Sequence, residues 1–121
     1  MIDYSVHGDF SKLSSKLQKI LGFFSKSRLD KYGRRGVELL SEATPVDTGL
    51  AASSWDYYIL NDGNFQLVFI NTDIEDGALV VELLDSGHVT RDGTFKNGLH
   101  FIDPCMNQLM DEISKDFKTF I

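Results

Sequence analysis

The stretch Thr44-Pro45-Val46-Asp47-Thr48-Gly49-Leu50-Ala51-Ala52-Ser53-Ser54-Trp55 is where the chain changes from helix-patterned and basic to strand-patterned and acidic. Pro45 has no backbone N–H and pushes Thr44 out of the helical region. Asp47 and Thr48 can hydrogen-bond nearby backbone amides, and Gly49 can take a positive φ. A helix is expected to stop here and an extended segment to begin.

Charge divides at the same place. Residues 1–43 hold eight of the twelve Lys and Arg and five of the eighteen acids, a net +3, and the remainder is −9. The strand-bearing half should therefore repel nucleic acid. A chain of 121 residues is one ordinary domain with enough core to fold without a metal or a disulfide. No apolar run approaches the roughly 20 residues of a membrane helix, and no secretory leader is evident, so a non-secreted protein with no membrane partner is expected. Cys105 is the single cysteine; it reads as a small buried apolar residue in a reducing compartment.

Upstream of the pivot, Asp9 is a plausible N-cap for an amphipathic helix with Phe10, Leu13, Leu17, Ile20, Leu21 and Phe24 on one face and Lys12, Lys16 and Lys19 on the other. Ser27 and Asp30 resemble a capping box that starts a second helix, or a kinked continuation. Its buried stripe would be Leu29, Tyr32, Gly36, Leu40 and Ala43, and Gly33 and Gly36 would be tolerated because another backbone packs close. Downstream, Trp55, Tyr57 and Ile59 alternate with Asp56 and Tyr58, and Phe65, Leu67 and Phe69 with Gln66 and Val68. The Asn-Asp-Gly-Asn at 61–64 makes the pair a hairpin. After a turn at 72–77, residues 78–84 read as a central strand, with a short buried helix as the alternative. Residues 85–98 read as a mobile loop rather than an extended hairpin, and so as a contact surface. A short strand at 99–102 follows. Asp103 as N-cap and Pro104 at the first helical position open a last helix that buries Met106, Leu109, Met110, Ile113 and Phe117. The order implies an α+β domain, with N-terminal helices and a C-terminal helix packed on a small, mostly antiparallel sheet.

Chemistry is weakly signalled. Asp47-Thr48-Gly49 is also the triplet of aspartic proteases, but there it follows an apolar strand in an all-β chain so that two carboxylates share a proton. Here a helix pattern and Pro45 precede it and Leu50 follows. A turn-forming Asp47 outweighs a dimeric protease, which stands as the remote alternative beside a His and Asp hydrolase. His88, His100, Asp103 and Cys105 lack metal-ligand spacing, and the glycines of 87–98 do not form a phosphate cradle between strand and helix. No catalytic residue, metal or cofactor is expected. Nucleic-acid binding through Lys12, Lys16, Lys19, Arg34 and Arg35 is the third class considered.

The pivot residues Pro45-Val46-Asp47-Thr48-Gly49, then Leu50 and Ser53-Ser54-Trp55, resemble the signature of the tail-component and tail-completion family of long-tailed bacteriophages. Gly87-His88, Thr90-Arg91, Gly93, Gly98 and Phe101-Ile102 are similar to the Gly-His, Thr-Arg, Gly, Gly and apolar run that many members place before their last helix. Two features differ: Leu50 follows Gly49 directly, and the run from Val81 to Gly87 is longer than the family's and lacks its aromatic. The resemblance implies a non-enzymatic virion protein: a homo-oligomeric ring, hexamer or dodecamer, at the neck. It would join a head connector or adaptor protein to a tail terminator or tail tube protein, and packaged DNA would pass through its lumen without specific binding. A tail terminator or minor tail protein is the nearer alternative. The location implied is the virion, with host cytoplasm during assembly. The binding positions it suggests are Pro45, Asp47, Thr48, Gly49, Gly87, His88, Thr90, Arg91, Gly93 and Gly98, with residues 85–98 and 61–64 making ring contacts.

Overall fold

The computed structural model of the protein describes residues 3–8, 25–46, 49–61 and 65–120. The helix expected from Asp9 to Phe24 and the hairpin tip at 62–64 lie outside them, as do Asp47 and Thr48. The elements are β1 (Asp3–Gly8), α1 (Lys26–Ala43), α2 (Leu50–Ser53), β2 (Trp55–Asn61), β3 (Phe65–Asn71), β4 (Ile74–Glu75), β5 (Ala78–Leu79), α3 (Val80–Ser86), β6 (Gly87–Val89), β7 (Phe95–Asn97) and α4 (Ile102–Phe120). The fold is α+β, as the patterning implies. Antiparallel β1-β3-β2 forms the main sheet, and β4-β5 and β6-β7 form two small antiparallel pairs. Strand β1, given no element in the sequence reading, pairs along its whole length with β3.

Helix α1 begins where Ser25 caps it, its side chain accepting from the Arg28 N–H at 3.4 Å. The cap is therefore two residues earlier than Ser27, and Ser27 and Asp30 both lie inside the helix. One face buries Leu29, Tyr32, Gly33, Gly36, Leu39 and Leu40, whereas Ala43 is exposed at the helix end. The glycines do admit a close neighbour, but it is an aromatic ring rather than a backbone. A Cβ on Gly33 would lie 2.3 Å from the Tyr57 ring, and one on Gly36 would lie 2.3 Å from that of Phe69. Tyr57 and Phe69 face each other across β2 and β3, as do Ile59 and Leu67, so one sheet face supplies the whole contact. On the opposite face Val68 is also buried, unlike Tyr58 and Leu60, because β3 is the central strand.

Helix α4 lies antiparallel to α1, and the contacts step along both. Arg28 stacks over Phe120, Tyr32 Oη donates to Asp116 at 2.8 Å, Arg35 grips Glu112 with two hydrogen bonds, and Cys105 Sγ reaches Leu39 O. Each step advances about one helical turn on α1, and on α4 one turn for the first two steps and two for the last. Ile102, Cys105, Met106, Leu109 and Ile113 are buried along α4, which completes a core with Phe69, Leu67 and Leu40. Met110 is 43% exposed and belongs to the outer face. Arg35, one of the cations that the nucleic-acid alternative would use, pairs with Glu38 and Glu112.

Two further expectations are overturned. The run 78–84 is not a strand: only Ala78 and Leu79 pair with β4, and the chain then coils into α3 with Val81 fully buried. Alternation is missing from an apolar run, so periodicity alone could not separate the two. Nor is 99–102 a strand. His100 takes φ 47, which breaks any extended run, and the Ile102 N–H donates to the Asp85 carboxylate at 3.0 Å, so α4 starts one residue before Asp103. Among the described residues no helix is long and apolar enough to cross a membrane.

Gly36→Ala should destabilise the fold by about 1–3 kcal/mol through overpacking against Phe69, exceeding the ~1 kcal/mol that alanine returns in helix propensity. Gly33→Ala should cost less, since Tyr57 is only partly buried and its ring can turn. Urea unfolding of both variants checks the order; equal midpoints would refute it. The Arg35 hydrogen bond foremost holds the Glu112 carboxyl below its usual range. A depressed carboxylate stabilises above its ordinary pKa and loses that contribution as pH falls through the lower folded value. The difference in urea midpoint between the native chain and Glu112→Gln should therefore be present at neutral pH and shrink below about pH 4.

Candidate functional site

At the pivot, α1 ends as Pro45 dictates. Thr44 is extended at φ −71, ψ 129, and its N–H still reaches Leu40 O. Gly49 sits at φ 78, the left-handed conformation expected of it. The single turn of α2 then intervenes before β2, so the extended segment starts only at Trp55. A buried relay fixes this corner: Thr44 Oγ1 donates to Leu40 O at 2.6 Å, and the Trp55 indole N–H donates to Thr44 Oγ1 at 2.8 Å. Asn71, also buried, donates to Ala51 O and accepts from the Asp73 N–H. Pro45 and Gly49 are thus shaping residues, and the corner leaves Val46 and Leu50 projecting to solvent.

The second predicted group is drawn together into one element. Residues 87–97 form a β6–β7 hairpin rather than a loop, with Gly87 opposite Asn97, His88 opposite Lys96 and Val89 opposite Phe95. Its turn is closed by the Gly93 N–H on Thr90 O at 3.0 Å, with Gly93 at φ 85, an arrangement usual in short hairpin loops. Thr90 Oγ1 and the Thr94 N–H both donate to the Asp92 carboxylate, the Thr90 bond foremost in holding it below the usual range. Gly87, Gly93, Gly98 and Thr90 therefore build the hairpin, while its exposed side chains are free for other work.

The base of the hairpin is fixed to α3. Gly87 takes φ 92, and a Cβ on Gly98 would lie 2.2 Å from Asp85 O and 2.6 Å from Gly87 N, so only glycine lets the two backbones cross. Leu99 and His100 N–H groups donate to Leu84 O and Asp85 O, and the Asp85 side chain caps Ile102. Asp85 joins α3, the hairpin and α4, a role the sequence reading missed because no local signal marks a residue that bonds at a distance of 17 positions. Asp92-Gly93 between Val89 and Phe95 was, by contrast, a legible hairpin signal.

Three large apolar side chains stand out from this element: Val89 is 66% exposed, Phe95 60% and Leu99 60%. Val89 and Phe95 are directly opposite, so they share one hairpin face, with the Phe95 ring close over Gly87. His88 and Lys96 share the other face, and the hairpin borders β4 and α3 across an open cleft of about 490 Å³ that Val89 and Thr90 also line. Ala78, Val80, Leu83 and Leu84 floor the cleft; His88, Arg91 and Lys96 rim one side and Glu75 and Asp76 the other. The His88 imidazole lies 3.4 Å from Leu83 O, and Arg91 spans to Asp76 at 3.4 Å. Among the described residues no group of three or more His, Cys, Asp or Glu is placed to hold a metal ion. Cys105 is buried, and burial pushes its thiol pKa up, away from nucleophilic use.

Gly98→Ala should unseat the hairpin, because the clash is with backbone, which cannot turn aside as a side chain can. Gly93→Asn should be milder, since its site opens to solvent and Asn tolerates positive φ. Limited trypsin digestion at Arg91 and Lys96 reads the difference. Cleavage should quicken about tenfold or more in Gly98→Ala, from strain of order 1–3 kcal/mol, and equal rates in both variants would refute the anchoring role.

Comparison of the chain with protein-family models, with curated proteins and with solved structures finds no match in any of the three.

Proposed function

We propose that the protein is a ring-forming structural subunit of a long-tailed phage virion, a tail-completion or neck component that joins the DNA-filled head to the tail, and that it has no catalytic role. The supporting observation is the hairpin at 87–97. It is hydrogen-bonded, clamped at its base by two glycines, and displays Val89 and Phe95 to solvent on one face. A preformed apolar projection of this kind is what an assembly contact needs and what an isolated chain has no reason to keep. Gly87, Thr90, Gly93 and Gly98, which build the element, are among the residues on which the family resemblance rests, and they serve shape rather than chemistry. An acidic wall formed by the strand-bearing half would let DNA pass without adhering, since it cannot replace phosphate counterions.

Purified full-length chain, examined by native mass spectrometry and negative-stain microscopy with rising concentration, should form cyclic oligomers of one copy number. Val89→Asp and Phe95→Asp should abolish them while leaving the circular dichroism and unfolding midpoint of the monomer within about 0.5 kcal/mol of the native chain, as expected of exposed positions. In the phage, loss of the gene should leave filled heads beside finished, unattached tails. Normal virions would reject the reading, and tails of irregular length would assign a terminating role instead.

A further inference from the structure

The four most exposed large apolar side chains among the described residues lie in two places. Val89, Phe95 and Leu99 belong to the hairpin and its return, and Val46, 72% exposed, belongs to the pivot. Val46 sits beside Gly49 and is accompanied by half-exposed Leu50. The two places differ in charge. Between Gly36 and Ser114 the only Lys or Arg are Arg91 and Lys96, both on the hairpin, against fourteen Asp and Glu. The pivot is flanked by exposed Glu42 at the end of α1 and has no cation near it in sequence.

These facts constrain how two copies can meet. A contact of this half of the chain with the same half of another copy sets acid against acid unless the hairpin takes part, and like-charge juxtaposition costs several kcal/mol at an interface. Hairpin against hairpin would bring Arg91 and Lys96 toward their own copies. Hairpin against pivot opposes a cation to an acid and covers apolar surface on both sides. Arg91 is available for the exchange: its bond to Asp76 is 3.4 Å long with the two side chains 96% and 88% exposed, and pairs of that kind contribute little.

We infer that the β6–β7 hairpin of one copy docks on the pivot of the next, with Val89 and Phe95 covering Val46 and with Arg91, in the hairpin turn, facing Glu42. The two surfaces are different, so each copy uses both, and the contact is head-to-tail. Repetition closes a ring or extends a filament and does not stop at a twofold dimer. The inference rests on the ring-forming reading for closure, and it adds which surfaces meet.

A photo-reactive benzophenone side chain placed at position 46 of the full chain tests it. Labelled and unlabelled copies are mixed, assembled, irradiated and digested, so that links between copies are told from links within one. Links from position 46 to residues 87–97 of another copy are expected. Links to any other surface in assembled oligomers, or 46-to-46 links in a species that stops at two copies, would overturn the docking while leaving an assembly role intact. A chain that stays monomeric at every concentration would overturn both. As a second measure, Glu42→Arg and Arg91→Glu should each weaken assembly by about tenfold and their combination should restore it. Additive weakening in the combination would count against the pairing.

Discussion

The hydrogen-bonded chain from Leu40 O through Thr44 Oγ1 to the Trp55 indole is the joint on which the two halves of the fold turn. Pro45 ends α1, and a helix end that simply frayed would leave the sheet free to swing against it. Thr44 prevents that by occupying both sides of the corner at once, satisfying the helix carbonyl and receiving the first residue of β2. Both partners are buried. Loss of either would strand a polar group away from water, a penalty of roughly 1–3 kcal/mol. With this corner fixed, Gly33 and Gly36 meet Tyr57 and Phe69, and α4 can then lie along α1 in register. The helical packing is thus set by two absent side chains and one hydroxyl.

A second joint sits where α3, the hairpin and α4 meet. Asp85 closes α3, receives the first N–H of α4 through its carboxylate, and takes the His100 N–H on its carbonyl, while Gly87 and Gly98 allow the strands between to leave and return through one narrow neck. The hairpin is therefore an outgrowth of rigid elements. Its turn residues are spent on holding its own shape, as the Thr90, Asp92 and Thr94 bonds show.

Much of this was readable from the chain. The helix stop at Thr44, the left-handed Gly49, the β2–β3 hairpin and the apolar face of α4 follow from proline geometry, glycine freedom and periodicity, all of which act within a few residues. What escaped was decided at longer range or by competing patterns. Residues 78–84 carry no alternation, so a buried helix and a buried strand look alike. Strand β1 is short and needs β3 to exist. Ser25, not Ser27, caps α1, because both serines satisfy the local preference and only packing selects one. Of the candidate site, the glycines were found, but the side chains that the hairpin displays, Val89 and Phe95, were overlooked, since a polar run hides two isolated apolar residues. They become a surface only when pairing sets them opposite each other.

The distinction between a loop and a clamped hairpin matters for assembly. A disordered segment of this length would surrender backbone freedom on binding, roughly 1–2 kcal/mol for each residue ordered, and an interface of modest area could not offset it. The hairpin has surrendered that freedom already, on folding, through the ladder, the turn and the glycine neck. The docking proposed above would then cost mainly the rigid-body term and the ordering of a few exposed side chains, among them Arg91, whose weak bond to Asp76 would release it cheaply. An element so prepared favours repeated, identical contacts over opportunistic ones, because its geometry is the same in every copy before any two copies meet.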